Sequence, residues 1–425
     1  MDIEVNTSDK KENEHKHLVW ALLLIILLFQ LGIIKYTLGL AEIATVLNAV
    51  LLAALSALAF KNVAGGRFTP KVWLAYLMPG ILIYTGYLLN IGLSMTIEFN
   101  AVSSLGLLIP WAAYLAVPFW LVRRGDEQGI WKFFYQCMLV VCLIGLLEYA
   151  LVFGGLLSTR LIETPLGNFV SGGISVFHAL DDGSPHYRFY AIFPEPGTFA
   201  MYLLPVMLYA LVFKKYAAAA VFLVSLALTD SLGGFAGFLM LFLFFIYGKL
   251  RQAKISIGTG LLAFAIIGIS LAAILGPELY ETYAMKGQSR EVREEGMVNV
   301  IQNLPQLIVD HPLGFRMTGQ SLSATESEDY FGSTFALGTA LATGGGLSLL
   351  GYFLALLVCV AVSVHALSMK RGDLDYWVVF PSLLVMLIFI VQRATVLDSA
   401  LFALLFAPSI IRSLQPQAHE EKTPS

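Results

Sequence analysis

The sequence predicts an all-α, polytopic helical membrane protein with about twelve transmembrane helices and a large extracytoplasmic loop. Three observations predict it. Only 13% of the 425 residues are charged and 58% are hydrophobic, against about 25% charged in soluble domains. The apolar residues fall in blocks of roughly 15 to 22, the length a helix needs to cross about 30 Å of hydrocarbon. Lysine and arginine collect in alternate short loops, the pattern of loops that face the cytoplasm. Blocks of this length and uniformity also exclude barrel strands, which are shorter and alternate in polarity.

Taken in order, residues 1–17 form a solvated cytoplasmic tail carrying Lys10, Lys11 and Lys16. The first apolar block, 18–34, is followed by no small-residue cleavage site, so it is a retained helix and not a signal peptide. Further spans are expected at 42–60, 72–91, 103–121, 133–153, 197–213, 216–228, 232–247, 255–275, 347–367, 376–392 and 396–411. Lys61/Arg67/Lys71, Arg123/Arg124/Lys132, Lys214/Lys215, Lys249/Arg251/Lys254 and Lys370/Arg371 then lie on one side. Both termini are cytoplasmic, residues 18–412 form a single transmembrane domain, and 413–425 form a second tail.

The charge rule also divides the apolar run from Tyr216 to Tyr247. One long helix would put Lys214 and Lys249 on opposite sides, whereas a break at Thr229-Asp230-Ser231 keeps both inside. Two segments, about 154–196 and 276–334, fall outside and are too long to be simple connectors. Within the second, a helix is expected over 278–304, stopped by Pro305, with a further break at His311-Pro312. Residues 335–345, ending in Gly344-Gly345-Gly346, read as a bent lead-in to the next span.

The net charge of −3 is too small to suggest nucleic acid or another strongly charged partner, so no nucleic-acid partner is expected. Cys137, Cys142 and Cys359 lie inside apolar blocks with neither metal-like nor disulfide-framework spacing. No nucleotide-binding glycine loop, His-Glu-x-x-His or nucleophile elbow occurs, which argues against an ATP-driven pump or a membrane protease. No cofactor is called for.

Ionisable residues within membrane spans are costly, and they carry a functional reading by default. Here they collect toward the outer side: Glu148, Arg188, Glu195, Asp230, Arg393 and Asp398. Glu148, Asp230 and Asp398 are the acids that would line an outward-facing cavity. In Arg188-Phe-Tyr-Ala-Ile-Phe-Pro-Glu-Pro, Pro196 suits the first position of a helix, which leaves Glu195 at its cap. That helix end carries partial positive charge suited to phosphate. Arg188 adds a permanently charged, bidentate fork. His178, His186 and His311 are the outward histidines, and Arg316 follows His311-Pro-Leu-Gly-Phe.

Three blocks, in order, resemble the O-antigen polymerase and ligase superfamily, the Wzy-type polysaccharide polymerases and their ligase relatives. The first is Arg188 through Pro196 with Ala200, similar to the family's arginine, Gly-x-Phe-x-(Glu/Asn)-Pro and small residue. The second is Ser231-Leu232-Gly233, where members commonly have Ser-Arg-Gly. The third is His311-Pro312-Leu313-Gly314, followed by the glycine-rich stretch from Gly332 to Gly346. Here Ala191 stands in place of the family's glycine and Leu232 in place of its arginine. Residues 333–346 lack the histidine that ligases place there.

The resemblance implies a metal-independent, inverting glycosyltransferase of the bacterial inner membrane. Its donor would be a polyprenyl-diphosphate-linked oligosaccharide, and its product O-antigen, capsule or exopolysaccharide. Arg188, Arg316 and Arg393 would hold the diphosphate, and Glu195, with His311 as second choice, would act as base. Partners would be the bilayer, the chain-length regulator and the flippase of the same pathway. Ligase-type transfer to a lipid or protein acceptor, and polysaccharide transport, are the alternative readings.

Overall fold

The computed structural model describes residues 34–63, 68–93, 115–123, 125, 127–164, 167–179, 187–193, 195–252, 287–314, 336–369, 374–392 and 402–415. The expected spans at 18–34 and 255–275, the loop histidine His186, and Arg316, Arg393 and Asp398 lie outside these residues.

The described chain is mostly helical. A short helix, α1 (Ile34–Thr37), precedes α2 (Ala41–Val63). Helix α3 runs from Pro70–Val72 through a wide π-helical turn, Trp73–Leu77, into Met78–Leu93. Then come α4 (Glu127–Phe153), α5 (Pro196–Val212), α6 (Tyr216–Leu228), α7 (Leu232–Gln252), α8 (Gly287–Asp310) and α9 (Ala336–Met369). Helix α10 starts with a π-helical turn, Asp375–Val379, and continues as Phe380–Gln392. Helix α11 joins a π-helical Phe402–Phe406 to Ala407–Leu414.

Three stretches, Pro70–Asn90, Glu127–Phe153 and Gly344–Ser368, are long and apolar enough to cross a bilayer. Their outer faces are apolar as well. On α9, Leu350, Phe353, Leu357, Val360 and Val364 form an exposed stripe at helical spacing. On α4, Val140, Leu143, Ile144 and Leu147 do the same. Contiguous exposed stripes of this kind suit hydrocarbon and not water.

Helix α5 is the buried centre. Thirteen of its residues, from Gly197 to Ala210, are buried, and α4, α6, α7 and α10 pack around it. The apolar run 216–247 is two helices, as charge alternation requires. Asp230, with φ 49°, turns the chain between them. The start of α7 meets the start of α5, since a Cβ on Gly234 would lie 2.7 Å from the Ala200 methyl. The far end of α7 meets α10, where Gly248 leaves no space beside the Trp377 ring.

Two features depart from the sequence reading. Residues 160–189 contain a four-stranded antiparallel meander, so the described chain is not wholly α-helical. Its strands are β1 (Arg160–Thr164), β2 (Gly167–Ser171), β3 (Val176–Ala179) and β4 (Tyr187–Phe189), in that order. The strands are only three to five residues long, too short for an alternation to stand out from their polar surroundings. Helix α8 runs on to Asp310 with Pro305 inside it, not stopping at Pro305. A proline removes the N–H that would bond the carbonyl four residues earlier. Position 305 is exposed, so that carbonyl, on Ile301, can be satisfied by water.

The tightest helix crossing is α3 against α9. A Cβ on Gly86 would overlap the Gly344 carbonyl oxygen and lie 2.7 Å from the Ser348 hydroxyl, and one on Gly351 would lie 2.6 Å from the Pro79 carbonyl oxygen. Small residues let two backbones approach in this way. The Ser348 hydroxyl donates to the Ile83 carbonyl at 2.9 Å across the seam.

Polar tertiary contacts tie several helix ends together. Arg160 donates to the Thr37 carbonyl, Arg188 pairs with Asp230 and Asn90 donates to Leu313. Arg412 pairs with Glu127 and Asp375, and the Lys215 ammonium lies 4.2 Å over the Tyr135 ring.

Candidate functional site

Strand β4 sets the site by simple alternation. Phe189 points to the helical core, fully buried, with its ring against Tyr149, Phe177 and Phe199. Gly145 on α4 makes room for it, because a Cβ there would lie 2.6 Å from the Phe189 ring. Arg188, one residue earlier, takes the opposite direction. Its Nη2 donates to the main-chain carbonyl of Asp230 at 2.9 Å, and its Nε lies 3.7 Å from the Asp230 carboxylate. The register also puts His178 opposite Arg188 on the neighbouring strand.

After β4 the chain makes a tight turn, with the Phe193 N–H donating to the Tyr190 carbonyl at 2.9 Å. Ala191 adopts φ 50° in this turn, and its carbonyl accepts from Val176 at 2.7 Å. Left-handed backbone costs a non-glycine residue about 1–2 kcal/mol. That cost supplies a physical reason for glycine at the position where the resemblance has one. Alanine is the smallest side chain that can replace it, and its methyl is fully buried.

Phe193 then stacks on Phe199, ring centres 5.1 Å apart, and packs on Tyr202 at 5.0 Å. This fixes how the chain enters α5. Glu195 is the cap residue of α5, with Pro196 inside its first turn, as the sequence suggests. The Glu195 carbonyl accepts from Phe199 at 3.0 Å, but its carboxylate makes no side-chain cap bond. Tyr190 is buried and within electrostatic reach of both charges. Burial pushes its phenol well above the usual range, Arg188 pulls it back down, and Glu195 raises it. One buried phenol thus feels both the guanidinium and the carboxylate.

The other predicted residues have separate supports. Glu148, near the end of α4, accepts from the amides of Ile174 at 3.0 Å and Ser175 at 2.6 Å. It clamps the β2–β3 connection onto α4 and is the side chain that orients the sheet. His311 follows α8, its N–H donating to Leu307 at 2.9 Å. The chain then closes a turn in which Gly314 donates to the His311 carbonyl at 3.0 Å. Asn90 of α3 donates to the Leu313 carbonyl at 2.6 Å, and Gly346 of α9 donates to Pro312 at 3.0 Å. Gly345, at φ 62° and ψ −155°, breaks α9 where Pro312 meets it.

Two of the three sequence blocks come together in space. The first meets the residues that flank the second, through Arg188–Asp230 and Ala200–Gly234. The third is internally paired, its His-Pro-Leu-Gly turn resting on its own glycine-rich entry to α9. An apolar cleft among Tyr76, Gly80, Ile83, Cys359, Phe402 and Ile410 contains none of the predicted site residues.

The chain matches no family model, no curated protein and no solved structure. What bears on its chemistry is thus the residues themselves.

Sequence reasoning missed a cluster at the opposite end. Arg412 contacts the Glu127 carboxylate at 3.2 Å and the Asp375 carboxylate at 2.6 Å, and Ser409 donates to Asp375 at 2.8 Å. Both acids are buried, 6% and 7% exposed. The signal was present, since all three charges border apolar spans on the side assigned to the cytoplasm. Their pairing is not readable along the chain.

Proposed function

We propose that this chain is a bacterial inner-membrane glycosyltransferase that polymerises polyprenyl-diphosphate-linked oligosaccharide repeats into a surface polysaccharide. The observation that carries the reading is the corner formed by Arg188, Tyr190 and Glu195 at the head of the buried helix α5. It combines a guanidinium held by the Asp230 carbonyl, the partly positive end of a helix and the carboxylate of that helix's cap residue. The pairing of the first two sequence blocks at this corner supports the same reading.

The chemistry follows from those groups. An acceptor sugar hydroxyl attacks the anomeric carbon of the donor from the face opposite the diphosphate. The C–O bond to the diphosphate breaks with its electron pair on the leaving oxygen, so the configuration inverts. Arg188 stabilises the charge developing there, and Glu195 accepts the hydroxyl proton. Arg316 and Arg393 are further candidates for the diphosphate, and His311 for the base. In this reading the corner faces the periplasm, both termini are cytoplasmic, the chain crosses the membrane twelve times, and no metal ion takes part.

The test is reconstitution with a polyprenyl-diphosphate oligosaccharide, with and without chelator, followed by sizing of the products. A ladder of repeats that survives chelation is expected, lost in Arg188→Ala and Glu195→Gln at equal protein level. A single transfer product would replace polymerase by ligase. Chelator-sensitive activity would overturn the metal-free mechanism. Absence of any sugar product, with movement of the lipid-linked donor across the membrane, would replace transfer by transport.

A further inference from the structure

We infer that Asp230 is a built-in counter-ion for Arg188, displaced when an anionic diphosphate binds. The inference rests on the reading of Arg188 as a diphosphate-binding residue and adds how that residue is held when the site is empty.

The contact has two parts of different quality. The main-chain carbonyl of Asp230 accepts from Nη2 at 2.9 Å, an ordinary hydrogen bond. The carboxylate stands 3.7 Å from Nε, within ion-pair range but beyond hydrogen-bond reach. Nε itself is buried and has no hydrogen-bond acceptor. The guanidinium is thus positioned by backbone and neutralised by a carboxylate that does not fully engage it. A buried donor left in this state is costly, and an acceptor oxygen arriving from a ligand would recover that cost.

The first turn of α7 is capped by Ser231, whose hydroxyl accepts from Gly234 at 3.2 Å, so the helix end does not require Asp230. The Asp230 side chain is 35% exposed, against 22% for Arg188. Two of the three non-glycine residues with positive φ among the described residues, Ala191 and Asp230, flank this contact. Left-handed residues of this kind concentrate at binding and switch positions.

Charge decides the direction of the effect. A diphosphate brings several negative charges toward Arg188, and the Asp230 carboxylate opposes it from beside the same guanidinium. Removing that charge while keeping the main-chain acceptor should strengthen binding. For a partly exposed pair about three- to tenfold is expected, shrinking as added salt screens the charges. Asparagine keeps the shape and tolerates left-handed backbone. Glycine at 230 serves as a second variant that also tolerates it.

The experiment is equilibrium titration of the full-length protein in lipid nanodiscs with inorganic pyrophosphate and with farnesyl diphosphate. Wild type, Asp230→Asn, Asp230→Gly and Arg188→Ala are compared at low and high salt. The expected result is binding that depends on Arg188 and is three- to tenfold tighter in both Asp230 variants at low salt. Binding that depends on Arg188 but is unchanged or weaker in those variants would overturn the counter-ion role and leave the diphosphate site standing. Failure of wild type to bind either probe would overturn both.

Discussion

Gly345 and Gly346 are neighbours on α9, and substituting alanine at each should move stability in opposite directions. Gly345 has φ 62° and ψ −155°, a region essentially confined to glycine, where another residue costs about 1–3 kcal/mol. Its Cβ would also overlap the Pro312 carbonyl oxygen and lie 2.6 Å from Leu313 Cα. Those are backbone atoms of the turn pinned by Asn90 and Gly346, so they cannot turn aside as a side chain would. Overpacking adds about 1–3 kcal/mol, for a total near 4 kcal/mol. A Cβ on Gly346 would meet only Ile308 Cγ2 at 3.6 Å and the Pro312 oxygen at 3.9 Å. These are ordinary contacts, and alanine in place of a helical glycine stabilises by about 1 kcal/mol. Thermal unfolding in detergent, followed by tryptophan fluorescence, measures both. Gly345→Ala should melt well below wild type, and Gly346→Ala at or above it. Equal melting of Gly345→Ala and wild type would refute the joint between the His311 turn and α9.

Other predictions test the remaining supports. Arg412→Ala strands the Glu127 and Asp375 carboxylates without their cation. It should destabilise by about 2 kcal/mol, below the full cost for a buried pair because Arg412 is 43% exposed, and Glu127→Gln in that background should restore part of the loss on the same melting assay. Glu148→Gln leaves an acceptor oxygen for only one of the two amides at the β2–β3 connection. It should cost about 1–3 kcal/mol and speed proteolysis within 154–196, with little change in cleavage at the helix ends on the opposite side. Tyr190 gives a pH signature. Burial raises its folded-state pKa, so its stabilising contribution is complete below the unfolded value of about 10 and is lost as pH rises through the folded value. Wild-type stability should therefore fall more steeply above pH 10 than that of Tyr190→Phe, and identical profiles would show that the phenol is not buried beside Arg188 and Glu195.

How much of this was legible along the chain differs from element to element. The start of α5 at Pro196, the break between α6 and α7 at Asp230 and the bend before Gly346 were all readable. Each depends on a residue whose backbone preference acts locally or on charges whose side of the membrane is a property of the loop. The sheet was not readable, because its strands are held by pairing and by Glu148 reaching from α4, 26 residues before Ile174. The continuation of α8 through Pro305 turned on exposure, which a sequence does not display.

For the candidate site the division is similar. Sequence alone identified Arg188 and Glu195, because a charge at the mouth of an apolar helix is expensive and therefore conspicuous. It also set Ala191 apart, though the reason, a left-handed turn, appears only in the fold. Arg188 and Asp230 are 42 residues apart, and their contact exists because β4 and the α6–α7 tip both stand at the head of α5. The Glu127–Asp375–Arg412 cluster likewise required helix packing to bring distant charges together. Hydropathy and charge determine which segments enter an apolar environment and which side each end occupies, since those are free energies of transfer that sum along a segment. Which polar groups then meet is decided by close packing around α5, where the neighbours of each side chain are set by elements remote in sequence.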